Sequence, residues 1–273
     1  MTSLAYDPRS TFSPTSRLRR RVDAVLTYLF AIVFGLAVWQ VLAVTFDLGF
    51  FISEPIEVWA VLVDWFSTGS IWIHIGSSVY ATVVGFAIGA VVGVAAAFAL
   101  YASSTAEDML SPYFSAAFAL PKAALAPILL IWLGIGSGPK IALGAIVGAF
   151  LFYHYMLEGL KAVPESIVDS VRVMGAGNWG VRWWVLLPAS RSSFVYAAQI
   201  ALPKVFTAVI VGEVIGSNRG LGQLARFHAA RFQARYVFAA ILIMVFISVV
   251  LYFLLSKLSG SGSGGDEVPI VGE

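Results

Sequence analysis

Residues 77–102 read SSVYATVVGFAIGAVVGVAAAFALYA, a run of small and apolar side chains without one charge. As a helix rising 1.5 Å per residue it would be about 39 Å long, and a bilayer core is crossed by about 20 such residues. Within it Gly85, Gly89, Gly93 and Ala97 recur every fourth position. That spacing puts them on one helix face and lets a second backbone approach closely, either for packing within the chain or for a gating contact. The stretch is a transmembrane helix.

Working outward, five further stretches have the same character: Ala24–Phe46, Met109–Gly134, Ile141–Leu157, Val195–Ile215 and Tyr236–Leu255. The third span, Met109–Gly134, is interrupted by Pro121, Lys122 and Pro127. Between the first two spans, Pro55–Phe66 is too short to cross, and its Trp content suits a helix lying along the interface. Ser53 is expected to cap it, with Pro55 in the first turn. Composition agrees, with 59% hydrophobic and only 12% charged residues at a mean hydropathy of +0.88. Soluble domains carry about a quarter charged residues. The fold class is all-α integral membrane, about six transmembrane helices with a short interfacial helix after the first.

Arg17, Arg19, Arg20 and Arg21 precede the first span and favour a cytoplasmic N-terminal segment, residues 1–23. The loop 158–194 then lies inside with Lys161, Arg172, Arg182 and Arg191, whereas the outer loop 53–76 has no Lys or Arg. One loop breaks the rule. Arg219, Arg226, Arg231 and Arg235 fall outside, where they either bind lipid phosphates or line a positive external vestibule. Residues 259–273 open with a Ser/Gly run of linker composition and are set apart from the fold.

Chemistry-bearing groups are few. The chain has no cysteine, and His74, His154 and His228 are far apart, so neither a thiolate nor a histidine metal site is signalled. The segment Gly134–Lys140 is rich in glycine but does not follow G-x-x-x-x-G-K-[ST], and it reads as a tight turn between spans. Lys122, Lys204 and Glu213 are ionisable groups within spans. Each costs about 2.5–3.5 kcal/mol at mid-bilayer, so each should face protein or a water-filled solute path rather than lipid. Snorkelling, or a place near a helix end, is the blander account.

The cytoplasmic segment Val163–Pro188, VPESIVDSVRVMGAGNWGVRWWVLLP, has the pattern of a helix opened by Pro164 and Glu165, with Ile167, Val168, Val171 and Met174 apolar. Gly175 stops it, and a second amphipathic helix runs from Trp179 to Leu187. Such a module is shaped either to dock a partner or to pack on its own spans.

This segment resembles the EAA loop of binding-protein-dependent ABC import permeases, E-A-A, three residues, G, nine residues, I-x-L-P. Asp169-Ser170-Val171 stand at E-A-A, Gly175 at the Gly, and Val185-Leu186-Leu187-Pro188 at the end. Asp replaces Glu, Ser-Val replaces Ala-Ala, and Val replaces Ile. Segments 53–58, 121–127 with 132–136, and 212–222 resemble the nitrate/sulfonate/taurine branch of that family.

The resemblance implies a permease domain over residues 24–258 with coupling loop 158–194, in the inner membrane of a bacterium. It implies two permease subunits, expected to be identical, two cytoplasmic ATPase subunits and an external substrate-binding protein. Asp169, Ser170, Val171, Arg172, Gly175 and Pro188 belong to the loop that would transmit ATPase movement. ATP and Mg²⁺ would reside in the partner, with no cofactor on this chain, which would be a transport subunit and not an enzyme. Lipid is the remaining partner, and nucleic acid is not expected. The solute would be small, anionic or organic. A secondary transporter or channel is the alternative; it calls for ion-coupling charges and an inverted repeat.

Overall fold

The computed structural model describes residues 14–45 and 53–260. Expectations for residues 1–13, for the loop 46–52 and for the tail 261–273 fall outside them. Helix α1 (Pro14–Thr45) is followed by α2 (Pro55–Thr68) and α3 (Trp72–Tyr101). Next come α4 (Ser104–Ala119), a 3-10 turn (Lys122–Leu125), α5 (Ala126–Leu133) and α6 (Ser137–Lys161). Helix α7 (Glu165–Val173) leads to a continuous run made of α8 (Asn178–Val181), a π-helical turn (Arg182–Leu186) and α9 (Leu187–Ala189). The chain then forms α10 (Arg191–Gly216), α11 (Leu221–Ala229) and α12 (Ala234–Gly260).

Among the described residues, α1, α3, α6, α10 and α12 are the 5 helices long and apolar enough to cross a membrane. The third expected span is a crossing of a different kind. Its start lies beside the far end of α6, where Glu107 pairs with Lys161. Its end lies at the opposite side, where the Gly136 N–H donates to the Gly216 carbonyl at 3.2 Å. The passage is thus made of α4, the 3-10 turn and α5 in series. Pro121 explains the break, since it has no N–H to donate and pushes Leu120 into extended backbone at φ −63°, ψ 138°.

Other boundaries moved for local reasons. Residues 14–23, expected as a segment before the first span, already belong to α1. Helix α6 begins at Ser137 rather than Ile141, because Lys140 is buried and paired instead of marking the water boundary. At α2 the cap position is Glu54, whose carbonyl accepts from the Glu57 and Val58 amides, so Ser53 is not the cap. Pro55 does open the helix, where its missing N–H costs nothing.

Helices α3, α6 and α10 form the hub. The four-residue glycine stripe of α3 faces α6: a Cβ on Gly89 would come within 2.9 Å of the Ala145 carbonyl oxygen, and one on Gly93 would collide with that of Ala149. The stripe serves backbone-to-backbone packing within one chain. Gly144 and Gly148 of α6 lie between the two neighbours, against the α3 stripe and against the Val205 and Val209 side chains of α10. A second cluster ties α2 to α10, α11 and α12 through Val58, Val61, Trp65, Phe206, Leu221 and Ala240. The opposite face of α2, with Ile56 and Trp59, stays exposed, as an interfacial helix requires.

Candidate functional site

At one end of the hub stands the helix–glycine–helix module. Helix α7 ends as expected. Gly175 has φ 93°, its N–H donates to the Arg172 carbonyl at 2.9 Å, and the Ala176 N–H donates to the Val171 carbonyl at 3.2 Å. These two bonds are the paired 5→2 and 6→1 contacts of a Schellman cap, which needs a residue in the left-handed region that glycine occupies without strain. The expected second helix is present across Asn178–Ala189, with a π-turn in its middle where the Leu187 amide reaches back to the Arg182 carbonyl.

The module is fastened to the spans by one side. Val168, Val181 and Leu186 are buried among Ala97 and Leu100 of α3 and Tyr153, Leu157 and Leu160 of α6. The other side is open. Val173 and Met174 are 88% and 86% exposed, and Ile167 is half exposed. Asp169, Ser170, Arg172, Gly175 and Pro188 are exposed and Val171 is half-buried. Asp169 and Arg172 form a loose surface pair at 3.6 Å, which contributes little to stability. An apolar tip rimmed by charge, rooted rigidly in two spans, has the form of a docking surface. Of the expected apolar set, only Val168 is a core residue; Met174 is at the tip, because the glycine turn carries it away from the spans.

At the opposite end the structure gathers residues from four elements. The Glu213 carboxylate, fully buried, accepts from Lys140 Nζ at 3.0 Å, from Ser78 Oγ at 2.8 and 2.9 Å, and from the Gly222 N–H at 2.9 Å. Lys140 also donates to Ser77 Oγ at 2.7 Å and to the Arg219 carbonyl at 2.9 Å. Ser78 Oγ in turn accepts from the Leu221 N–H at 2.9 Å. Gly220, at φ 135°, passes so close that any side chain there would run into the Glu213 carboxylate. Glu213 therefore clasps the 217–222 loop onto α3 and α6 and, within this chain, lines no open path. Lys140, its partner, belongs by sequence to the glycine-rich turn between spans. The available signal was its place at a span edge on the same membrane side as Glu213.

Lys122 rests over the Phe150 ring, its Nζ 5.0 Å from the centroid, and is half-buried. Lys204 is exposed on α10, in mid-helix. All four arginines of the 219–235 segment are exposed. They are not equivalent: Arg231 lies on the Phe227 ring at 3.4 Å, and Arg235 approaches Glu57 at 3.9 Å. Among the described residues no group of acidic, histidine or cysteine side chains has the makings of a metal site.

Comparison with known proteins agrees with this architecture. A probable ABC transporter permease of Haemophilus influenzae is 30% identical over 188 residues, covering 69% of this chain and 77% of that protein. The putative aliphatic sulfonates permease SsuC of Escherichia coli is 28% identical over 193 residues, covering 71% of this chain and 70% of that one. In fold, the chain is similar to an inward-facing MetNI methionine ABC transporter structure, with a TM-score of 0.60 at 20% identity, over 74% of this chain and 98% of that one. Residues 89–259 match the family described as binding-protein-dependent transport system inner membrane component. The chain belongs to this family of ABC transporter permeases.

Proposed function

We propose that this permease works as one of two identical membrane subunits, driven by a pair of cytoplasmic ATPases and loaded by an external binding protein with a small anionic organic solute. Hydrolysis of Mg-ATP belongs to the partner, and this chain is a transport subunit rather than an enzyme. The observation that carries the reading is the rooted tip: a glycine-capped helix that buries Val168 in the spans and offers Val173 and Met174 outward. A push on that tip would reach α3 and α6 through the packed Val168, Val181 and Leu186.

The solute class rests on the two lysines. The broken passage and α10 run in the same direction, both ending at Gly136 and Gly216. Leu125 and Ala208 pack around one cluster. Lys122 is one 3-10 turn before the first, and Lys204 one α-turn before the second, so both lie at about the same depth. A cation exposed in mid-span is tolerated where water or a second protein covers it, not acyl chains. Lys204, exposed, and Lys122, half-buried over Phe150, stand on adjacent elements and suit a sulfonate or carboxylate in transit, in keeping with the sulfonate relative. A secondary transporter would need an ion-coupling charge; the buried Glu213, with its acceptors filled from within the chain, does not serve as one.

The test is Gly175→Val in the assembled transporter. A β-branched residue at φ 93° is strained and should undo the cap. Membrane insertion is expected to persist while substrate-stimulated ATP hydrolysis and uptake fall at least tenfold. Normal transport by this variant would remove the coupling assignment. In parallel, Lys204→Met should cut uptake of the cognate solute more than it cuts expression.

A further inference from the structure

The second helix of the cytoplasmic module carries a surface that coupling does not account for. Trp179, Trp183 and Trp184 are 69%, 60% and 81% exposed, and with Gly180 they form one aromatic face. Beside it a groove of about 290 Å³ is walled by Trp179, Arg182, Trp183 and Leu187 on one side and by Val94 and Phe98 of the membrane-spanning α3 on the other. The Arg182 guanidinium is held over the Trp179 ring at 5.6 Å.

The position of this groove says what bathes it. Phe98 and Val94 precede the end of α3 at Tyr101 by 3 and 7 residues, which is about 5 and 10 Å along the helix axis. An interfacial helix buries its apolar face by about 5–10 Å at the boundary of headgroups and acyl chains. Val91 and Val92, one turn deeper on the same apolar span, are exposed on the surface of the chain. The groove is therefore continuous with a lipid-facing surface. Trp prefers that level of the membrane, and a guanidinium there meets lipid phosphate. The π-turn at Arg182–Leu186 falls in the same segment, and such turns accompany functional sites.

We propose that this groove is a site for an anionic phospholipid of the inner leaflet, its acyl chain between α3 and Trp183 and its headgroup phosphate on Arg182. The lipid would wedge the root of the coupling module against α3, so that leaflet composition bears on coupling. The site depends on the membrane reading alone and stands or falls separately from the solute and partner assignments.

Quenching of tryptophan emission by brominated phospholipids tests it, with the full-length chain in nanodiscs. Phosphatidylglycerol brominated near the headgroup should quench the component that Trp183→Phe/Trp184→Phe removes. That component should prefer phosphatidylglycerol over phosphatidylcholine by about fivefold, the effect of one basic group near an anionic surface. Arg182→Gln should abolish the preference and retain the quenching. Equal quenching of the wild-type chain by the two lipids would overturn the anionic site without recourse to any variant. Absence of quenching, or its relief when the ATPase subunits are added, would show that water or the ATPase occupies the face and would overturn the lipid altogether.

Discussion

Lys140 and Glu213 lie 73 residues apart and are 1% and 0% exposed. A buried ion pair is weak evidence of stabilisation as such, since taking both charges out of water offsets much of their attraction. Losing one partner is another matter, because it strands the other charge. Glu213→Gln is expected to lower stability by about 3–5 kcal/mol, read as a fall in the unfolding midpoint in detergent, and to free the 217–222 loop to proteolysis. The paired change Lys140→Met with Glu213→Leu should be milder than the single one. If Glu213→Gln melted like the parent, the clasp would have no structural weight. Gly220 belongs to the same unit, since only a residue without Cβ passes the carboxylate there.

At the scale of elements, the fold depends on how closely α3 meets α6. The sites differ sharply along one helix. At Gly89 a Cβ would lie 2.9 Å from backbone atoms of α6, whereas at Gly76, near the start of the same helix, it would meet nothing within 4 Å. Gly89→Val should therefore force the helices apart and cost about 1–3 kcal/mol or more. Gly76→Ala should be neutral or stabilise by up to about 1 kcal/mol, as Ala does in a helix interior. Thermal unfolding of the two variants side by side checks this; equal melting would mean that the stripe does not set the helix spacing. In the broken third passage, α4 meets α6 through Phe114 stacked on Tyr153 at 4.3 Å and through the Glu107–Lys161 pair.

For the whole molecule, basic side chains gather at both ends. The end that holds the helix–glycine–helix module carries Lys161, Arg172, Arg182 and Arg191, and the opposite end carries Arg219, Arg226, Arg231 and Arg235. A cysteine at exposed Asn218 should be labelled by an impermeant reagent from outside, and one at exposed Met174 from the cytoplasm only. Ser217 is a poor probe, since it is buried and donates to the Arg219 carbonyl at 2.7 Å. If the outer arginines steer an anionic solute and its binding protein, Arg226→Glu should weaken binding-protein-stimulated ATP hydrolysis several-fold at low salt and less at high salt. Arg235→Glu should do less, because Glu57 already offsets that charge. A salt-independent response in Arg226→Glu would point to lipid contact instead.

The sequence by itself determined which stretches run as long apolar helices and where the helix–glycine–helix module turns. Lipid cannot satisfy backbone hydrogen bonds, so long apolar runs have to be helical, and the reason is local. Gly175 was legible on the same ground, because a helix end in the left-handed region calls for glycine. Only the tertiary structure decided which charges meet. Lys140 read as part of a turn and Glu213 as part of a path; packing of α3, α6 and α10 joined them, since burying either alone is too costly. It also decided that the third crossing is broken at Pro121, and that the glycine stripe faces α6. Spacing along a chain specifies a helix face, and what lies against that face depends on every other helix in the bundle.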